Sequence, residues 1–305
     1  MTRRVVVTGA HGFLGRHVAR HFAAVGWEVT GTGHGQWSHR EQVQYGVAKW
    51  HGGDVTVDAL ATYAGEPDLI VHCAGSGTVS FSMLHPFEDW ARGVVTTASV
   101  LEYIRLHSAG TKLVFPSSAA VYGSARRLPI AESDVLLPVS PYGVHKAMAE
   151  MLCNSYSASF DLTVGIIRFF SIYGEGLRKQ LLWDACNKLA HGNGEFFGSG
   201  AELRDWLHVE DAARLVYAVA DRLEYGCLTI NGGSGKGVTV RSVVEALIQE
   251  SRTSIQPNFS GQIRPGDPPG YQADMTRAHN FGWAAQIGWQ EGMRRYVEWF
   301  HERGE

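Results

Sequence analysis

The sequence predicts an α/β fold, a doubly wound parallel sheet with a smaller second lobe. Three observations carry that expectation. Short β-branched runs alternate with helix-length segments through the first half of the 305 residues, the pattern of βαβ units. The strand candidates are unbroken apolar runs, as in sheets covered on both faces. Beyond about Ser171 the texture turns rich in glycine and proline, at 192–200 and 263–270, which marks a loop-rich lobe.

In chain order, Val5-Val6-Val7-Thr8 reads as the first strand and 13–25 as a helix stopped by Gly26. Strands follow at 27–30, 69–71, 112–115 and 162–167, with long helices at 87–107 and 142–160 and a closing helix at 291–301. Residues 1–171 with about 207–233 form the first expected domain. About 172–206 with 234–305 form the second.

Composition removes several function classes. Lys plus Arg number 27 against 30 Asp plus Glu, a formal charge of −3. A weakly acidic chain is poorly suited to neutralising phosphates, so no nucleic-acid partner is expected. Cys73, Cys153, Cys186 and Cys227 are far apart, which fits a reducing compartment and gives neither a disulfide framework nor a zinc ribbon. No apolar run approaches the roughly 18 residues of a membrane span. The first residues reach glycine too early for a signal peptide. The expectation is a soluble, cytoplasmic protein with no membrane partner.

Thr8-Gly9-Ala10-His11-Gly12-Phe13-Leu14-Gly15 lies between the first strand and the first helix. A glycine loop there lets the backbone approach a pyrophosphate, which rests on the helix N-terminus; this is the Rossmann arrangement for a dinucleotide. The spacing is GxxGxxG. Units that bind NAD usually carry Asp or Glu at the end of the second strand to hold the ribose hydroxyls. Here that stretch is Val29-Thr30-Gly31-Thr32-Gly33-His34-Gly35, with no carboxylate before Glu41. Without the acid a 2′-phosphate is not repelled, and His34 and Arg40 are at hand to receive one, so NADP(H) is favoured. NAD(H) held by backbone groups, with both side chains merely solvated, is the alternative. Asp54, followed by Val55, reads as an adenine contact or as a turn cap.

Ser140-Pro141-Tyr142-Gly143-Val144-His145-Lys146 is the most informative segment. Ser140 suits an N-cap and Pro141 the first helical position. Tyr142 and Lys146 are then neighbours on one helix face. An ammonium beside a phenol favours phenolate, and the helix N-terminus pushes the same way. Such a tyrosine can carry a proton to or from a carbonyl or alcohol oxygen. Ser117 and Ser118 end an apolar strand, where ligands of such sheets bind.

At this point the chain resembles the extended short-chain dehydrogenases/reductases, the epimerase/dehydratase type that modifies nucleotide-activated sugars. The resemblance spans essentially the whole chain. It rests on Thr8 to Gly15, His72-Cys73-Ala74-Gly75, Ser117 to Gly123, Pro141 to Lys146, Arg168-Phe169-Phe170-Ser171-Ile172-Tyr173-Gly174, Arg204-Asp205-Trp206, Arg264-Pro265-Gly266-Asp267 and Phe281-Gly282-Trp283. It implies that Ser118 and Tyr142 handle the proton, while Lys146 holds the nicotinamide ribose and tunes Tyr142. It implies cofactor contacts from Gly9, His11, Gly12, Phe13, Leu14, Gly15, His34, Arg40, Asp54, Val55, Ala74, Gly75, Ser117 and Phe169. Ser76, Ser118, Ser171 and Phe197 are implied on the substrate, with Arg204 and Arg264 gripping its diphosphate. A homodimer pairing 87–107 and 142–160 across a two-fold axis is implied too.

Departures from the family pattern narrow the reaction. Relatives that dehydrate, decarboxylate or epimerise C3 and C5 carry acids or a cysteine at the positions of Ala119 and Ala120. Hydride transfer at one carbon, C4, is what remains. Ser171 and Gly93 both stand where relatives commonly have Asn. The leading expectation is an NADP(H)-dependent reductase of a 4-keto nucleotide sugar. The alternative is an NAD-dependent 4-epimerase of the UDP-hexose type, and a third reading is a non-catalytic cofactor sensor.

Other signals point elsewhere. His17 and His21 are four apart but lack a third ligand, so they read as an exposed helix face, and no metal is expected. Cys73 reads as a small packed residue rather than a nucleophile. Trp206 is a candidate cleft residue, and Phe196 and Phe197 candidates for stacking on a base.

Overall fold

The computed structural model describes residues 2–262 and 270–302. The chain runs β1 (Arg4–Thr8), α1 (Phe13–Ala24), β2 (Glu28–Gly33), α2 (His39–Gln44), β3 (Val47–Gly52), α3 (Val57–Tyr63) and β4 (Leu69–His72). It continues through α4 (Val79–Leu84), α5 (Pro86–Trp90), α6 (Thr96–His107), β5 (Lys112–Ser118), α7 (Pro141–Phe160) and β6 (Val164–Phe169). Then come β7 (Ser171–Tyr173), α8 (Gln180–Ala190), β8 (Glu195–Phe196), β9 (Leu203–His208), α9 (Val209–Arg222) and β10 (Cys227–Gly232). The last elements are β11 (Gly237–Thr239), α10 (Val240–Glu250), β12 (Asn258–Phe259), α11 (Thr276–Asn280) and α12 (Trp289–Glu302).

Seven strands form one sheet in the order β10-β6-β5-β4-β1-β2-β3. The chain order reverses between β1 and β4, so the loops leaving those two strands flank the crevice where doubly wound sheets bind ligands. The five strands read from the sequence are all there. The two that sequence reading passes over, β3 and β10, are the two edges of the sheet. Their runs, Val47-Ala48-Lys49-Trp50-His51-Gly52 and Cys227-Leu228-Thr229-Ile230-Asn231-Gly232, mix polar with apolar residues because an edge strand is only half covered.

The chain divides into two compact units. Unit 1 holds Met1–Gly123, Val135–Phe169 and Ala212–Ile230; unit 2 holds Ser124–Asp134, Phe170–Asp211 and Asn231–Glu305. In unit 1 a continuous core, with Val6, Ile70, Leu101, Ile104, Phe115 and Ile166 among its buried residues, cements helices onto the sheet. At roughly 25 cal/mol per Å² of apolar area buried, a core of this kind is the main favourable contribution to the unit's stability. The predicted 87–107 helix is three pieces: α5, a π-turn at Ala91–Val95, and α6. Such π-turns cluster at functional sites.

His17 corrects one expectation. It is buried on α1, between the rings of Phe13 and Tyr45, and His21 packs against Phe22 and Tyr217. Both imidazoles serve as packing groups under the helix rather than as a solvated face.

In unit 2, β11, β9 and β7 form a three-stranded sheet, with β9 antiparallel to β11 and parallel to β7. Asp205 on β9 is fully buried and accepts from the Ser234, Gly235 and Ala273 amides and from the Ser234 hydroxyl. Four donors are what make burial of that carboxylate tolerable.

Candidate active site

The glycine loop is built for a close backbone approach. Gly12 caps α1 with no side-chain hydrogen bond, so the first amides of a twelve-residue helix are left for a ligand. Gly9 has φ +65°, and a Cβ on it would lie 2.7 Å from the Ala74 nitrogen; a Cβ on Gly15 would run into the Gly9 carbonyl. Only glycines let the β1 and β4 loops and α1 converge there. Thr8 ties the two strands together, bonding His72 Nδ1 at 2.7 Å and accepting from the Ala74 amide. These residues fit a dinucleotide pyrophosphate. Phe13 and Leu14 open the helix, and Ala74 and Gly75 follow β4, where the sequence put them.

The adenosine end departs from expectation. His34, offered as a receiver for a 2′-phosphate, bonds Asp54 at 2.9 Å, and both side chains are more than three-quarters exposed. A carboxylate absent from the end of β2 thus comes from the loop after β3, where its charge disfavours a second anion. Arg40 is exposed on α2. Val55 is buried in the core. His11 packs between Trp37 and Trp50, two rings that sequence reading did not single out; burial holds its imidazole below the usual range, with Arg16 adding to the effect.

The catalytic end forms where β5 meets α7. Ser140 caps α7 by accepting from the Gly143 amide at 3.2 Å, worth about 1 kcal/mol. Gly143 has a reason beyond capping: a Cβ there would lie 2.5 Å from the Ala120 carbonyl, so any other residue would push α7 off the turn after Ser118. That approach brings the Ser118 hydroxyl near enough to the Tyr142 phenol to act on its protonation. Lys146, one turn on, donates to the Pro116 carbonyl at 2.8 Å and sits 4.6 Å from the centre of the Phe115 ring.

Burial dominates the protonation of both groups. It pushes the Tyr142 phenol up, with the Ser118 hydrogen bond opposing it and Asp89 adding to it. Burial also brings the Lys146 ammonium down to about 8. Lys146 is therefore a desolvated ammonium that gives up its proton more easily than a free lysine, and the expected lowering of the Tyr142 phenol by its charge is not found: burial, Ser118 and Asp89 set that group. The same desolvation takes the Cys73 thiol up to about 12 and His72 down to about 3, so Cys73 is no nucleophile.

Ser117 commits its hydroxyl to Glu150 at 2.6 Å, and Glu150 in turn takes a forked bond from Arg168. This buried trio fixes α7 to the end of β6, beside Phe169. Ser76 donates to Asp89, whose other oxygen bonds His145. Neither Asp89 nor His145 was expected at the site. The one available signal was an imidazole lying between Tyr142 and Lys146.

Ser171, Phe197 and Arg204 lie in unit 2. Ser171 pairs with Trp206 along β7 and β9, and Arg204 on β9 donates to the Leu203 carbonyl. Phe197 is exposed, whereas Phe196 is buried against Phe259. Trp206 is buried with its ring against Tyr173. Arg264 lies outside the described residues.

A glycine-cradled helix N-terminus on a doubly wound sheet, with a Ser–Tyr–Lys set at the end of β5, defines a short-chain oxidoreductase enzyme that uses a nicotinamide dinucleotide. The chain belongs to the NAD dependent epimerase/dehydratase family, which it matches over residues 5–228. It is 29% identical to a UDP-glucose 4-epimerase of Azospirillum brasilense, over 94% of this chain and 86% of that one. It is 30% identical to UDP-glucose 4-epimerase 4 of Oryza sativa subsp. japonica, over 98% and 90%. Among solved structures, MoeE5 in complex with UDP-glucuronic acid and NAD superposes with a TM-score of 0.88 at 30% identity, covering 98% of this chain and 99% of that one. The UDP-glucose 4-epimerase of Thermus thermophilus in complex with NAD gives 0.87 at 25% identity, covering 99% of both.

Proposed function

We propose that the chain is an NAD-dependent nucleotide-sugar 4-epimerase acting on a UDP-hexose. The observation that carries this reading is the Ser118–Tyr142–Lys146 set bordered by Ala119 and Ala120, a proton-carrying phenol with no acid or thiol at the two positions that other sugar chemistries use. Chemistry at one carbon is then what the residues support. The relatives named above as 4-epimerases, and the solved relatives that hold NAD, favour epimerase over reductase. The His34–Asp54 pair favours NAD, because it places a carboxylate beside the imidazole that a 2′-phosphate would need.

When bound, the nicotinamide supplies a reversible hydride acceptor. Tyr142 takes the proton of the C4 hydroxyl as hydride leaves C4, with Ser118 holding the oxygen in line. After the keto sugar presents its other face, the same phenol returns the proton. Lys146 fixes the cofactor ribose and supplies positive charge when protonated. Gly9, Gly12 and Gly15 seat the pyrophosphate. Arg204, Arg264, Ser171 and Phe197 are assigned to the sugar nucleotide by the family pattern. A homodimer through α5–α6 and α7 belongs to the same proposal, supported by the exposed Phe87, Met148 and Met151 on those elements.

The test is interconversion of UDP-galactose and UDP-glucose by the purified protein without added cofactor. Turnover that falls about 10²–10⁴-fold in Tyr142→Phe is the expected result. Reduction of a 4-keto nucleotide sugar by NADPH, with no interconversion, would return the reading to a reductase.

A further inference from the structure

Asp89 is a carboxylate that the reaction above does not use, 1% exposed on α5 and held by two neighbours. Ser76, in the loop after β4, donates to one oxygen; His145 Nδ1 lies 2.5 Å from the other. The imidazole is nearly covered, its side chain 14% exposed. Asp89 and His145 line one recess together with Tyr142 and Lys146. Tyr142 and His145 are three apart on α7 and so share a helix face.

A carboxylate at Nδ1 fixes the imidazole tautomer. It takes the Nδ1 proton as a hydrogen bond and leaves Nε2 as the basic atom. This is the arrangement by which a base is oriented by a third group, with the orienting acid one step from the chemistry. The other charged groups around the recess are engaged elsewhere. Lys146 is bonded to Pro116, Glu150 is bonded to Arg168 and Ser117, and Arg92 is turned to Glu88 and the Phe81 ring.

We propose that His145, positioned by Asp89, is the proton acceptor behind Tyr142, so that the site carries a second proton-handling pair. The proposal rests on Tyr142 being the group that meets the sugar hydroxyl. In the oxidative half, the C4 hydroxyl gives its proton to the Tyr142 phenolate while hydride leaves to the nicotinamide. The phenol's O–H bond then breaks toward His145 Nε2, which restores phenolate and leaves an imidazolium against the Asp89 carboxylate. In the return half the proton retraces that path as hydride comes back. No net proton or electron is gained or lost. Asp89 and His145 are positioning residues here, since they act through Tyr142.

The experiment uses the NAD-loaded protein and two variants chosen by atom. In His145→Asn the side-chain amide keeps a donor at the Nδ1 position toward Asp89 but has nothing at Nε2. In Asp89→Asn the bridge keeps its size while the acceptor that sets the tautomer is changed. The proposal predicts that His145→Asn loses about tenfold or more in kcat at neutral pH, with KM and bound NAD unchanged, and that the kcat–pH profile changes shape. Asp89→Asn gives the same signature and stands in should the first variant fail to fold. A purely structural bridge predicts the opposite, kcat within about twofold and a profile of unchanged shape, and that result overturns the proposal.

A second readout separates this proposal from the epimerase reading. Tyr142 phenolate absorbance is titrated in the NAD-loaded protein, with Tyr142→Phe as the blank. In wild type the phenol can pass its proton to His145, whereas in His145→Asn it must lose it to solvent beside the Asp89 charge, so the phenolate should form at higher pH in His145→Asn than in wild type. That shift in His145→Asn, together with a wild type that does not turn over UDP-hexoses, sinks the epimerase reading alone. A wild type that turns over, with superposed titrations, sinks the relay alone.

Discussion

Among its described residues, unit 1 holds two His–Asp pairs in opposite surroundings, one made through the imidazole Nε2 and the other through Nδ1. His34–Asp54 lies at the adenosine end, 2.9 Å apart, with side chains 77% and 79% exposed. His145–Asp89 lies at the reacting end, 2.5 Å apart, with exposures of 14% and 1%. In water the first pair gains little, because solvent and salt screen it and two side chains lose freedom to form it. On the NAD reading proposed above, its role is occupancy, a carboxylate beside the imidazole that a 2′-phosphate would need. The second pair is set in a medium where an unmatched partner is costly, so its geometry is enforced and can be used. On the readings proposed above, the same two residue types serve as a selectivity device in one place and a proton device in the other, and burial separates the two.

The sharpest way to break that comparison is to remove each carboxylate in turn. Asp89→Ala leaves the Ser76 hydroxyl and the His145 ring without their acceptor and should cost about 1–3 kcal/mol of stability by denaturant unfolding. A loss no larger than that seen at an exposed site would mean water reaches Asp89 freely. Lys146 sharpens the same point through pH. Burial brings it from 10.5 to about 8. Between those values the unfolded chain binds the extra proton, so raising the pH through the window should stabilise the cofactor-free protein relative to Lys146→Met, and below about 8 the difference should be flat. The smallest effect belongs to Asp54→Asn, within about 0.5 kcal/mol of wild type by thermal melting, accompanied by a relative gain in NADPH over NADH binding.

Much of this was legible in the sequence, and the gaps share a physical cause. The central strands could be read because strands covered on both faces are apolar without interruption, as in Val5-Val6-Val7 and Leu69-Ile70-Val71. The edge strands β3 and β10 could not, since half-covered edges admit Lys49, His51 and Thr229. The glycine loop and the Tyr142–Lys146 spacing are local patterns, so they announced themselves. Asp89–His145, His34–Asp54 and the Trp37–His11–Trp50 cluster are made by residues brought together from separate elements, and no local pattern records them. The preference for NADP(H) came from reading the end of β2 alone, and the carboxylate that faces His34, Asp54, lies some twenty residues later. His17 misled because an imidazole at helical spacing looks polar in sequence, whereas its ring packs as an aromatic.

The central claim is that the chain keeps its cofactor through a closed cycle of oxidation and reduction at one carbon. Mass spectrometry of the nucleotide released on denaturing the freshly purified protein tests it most directly. Near-stoichiometric NAD is the predicted result. A protein that emerges empty, and then binds NADPH more tightly than NADH, would contradict it.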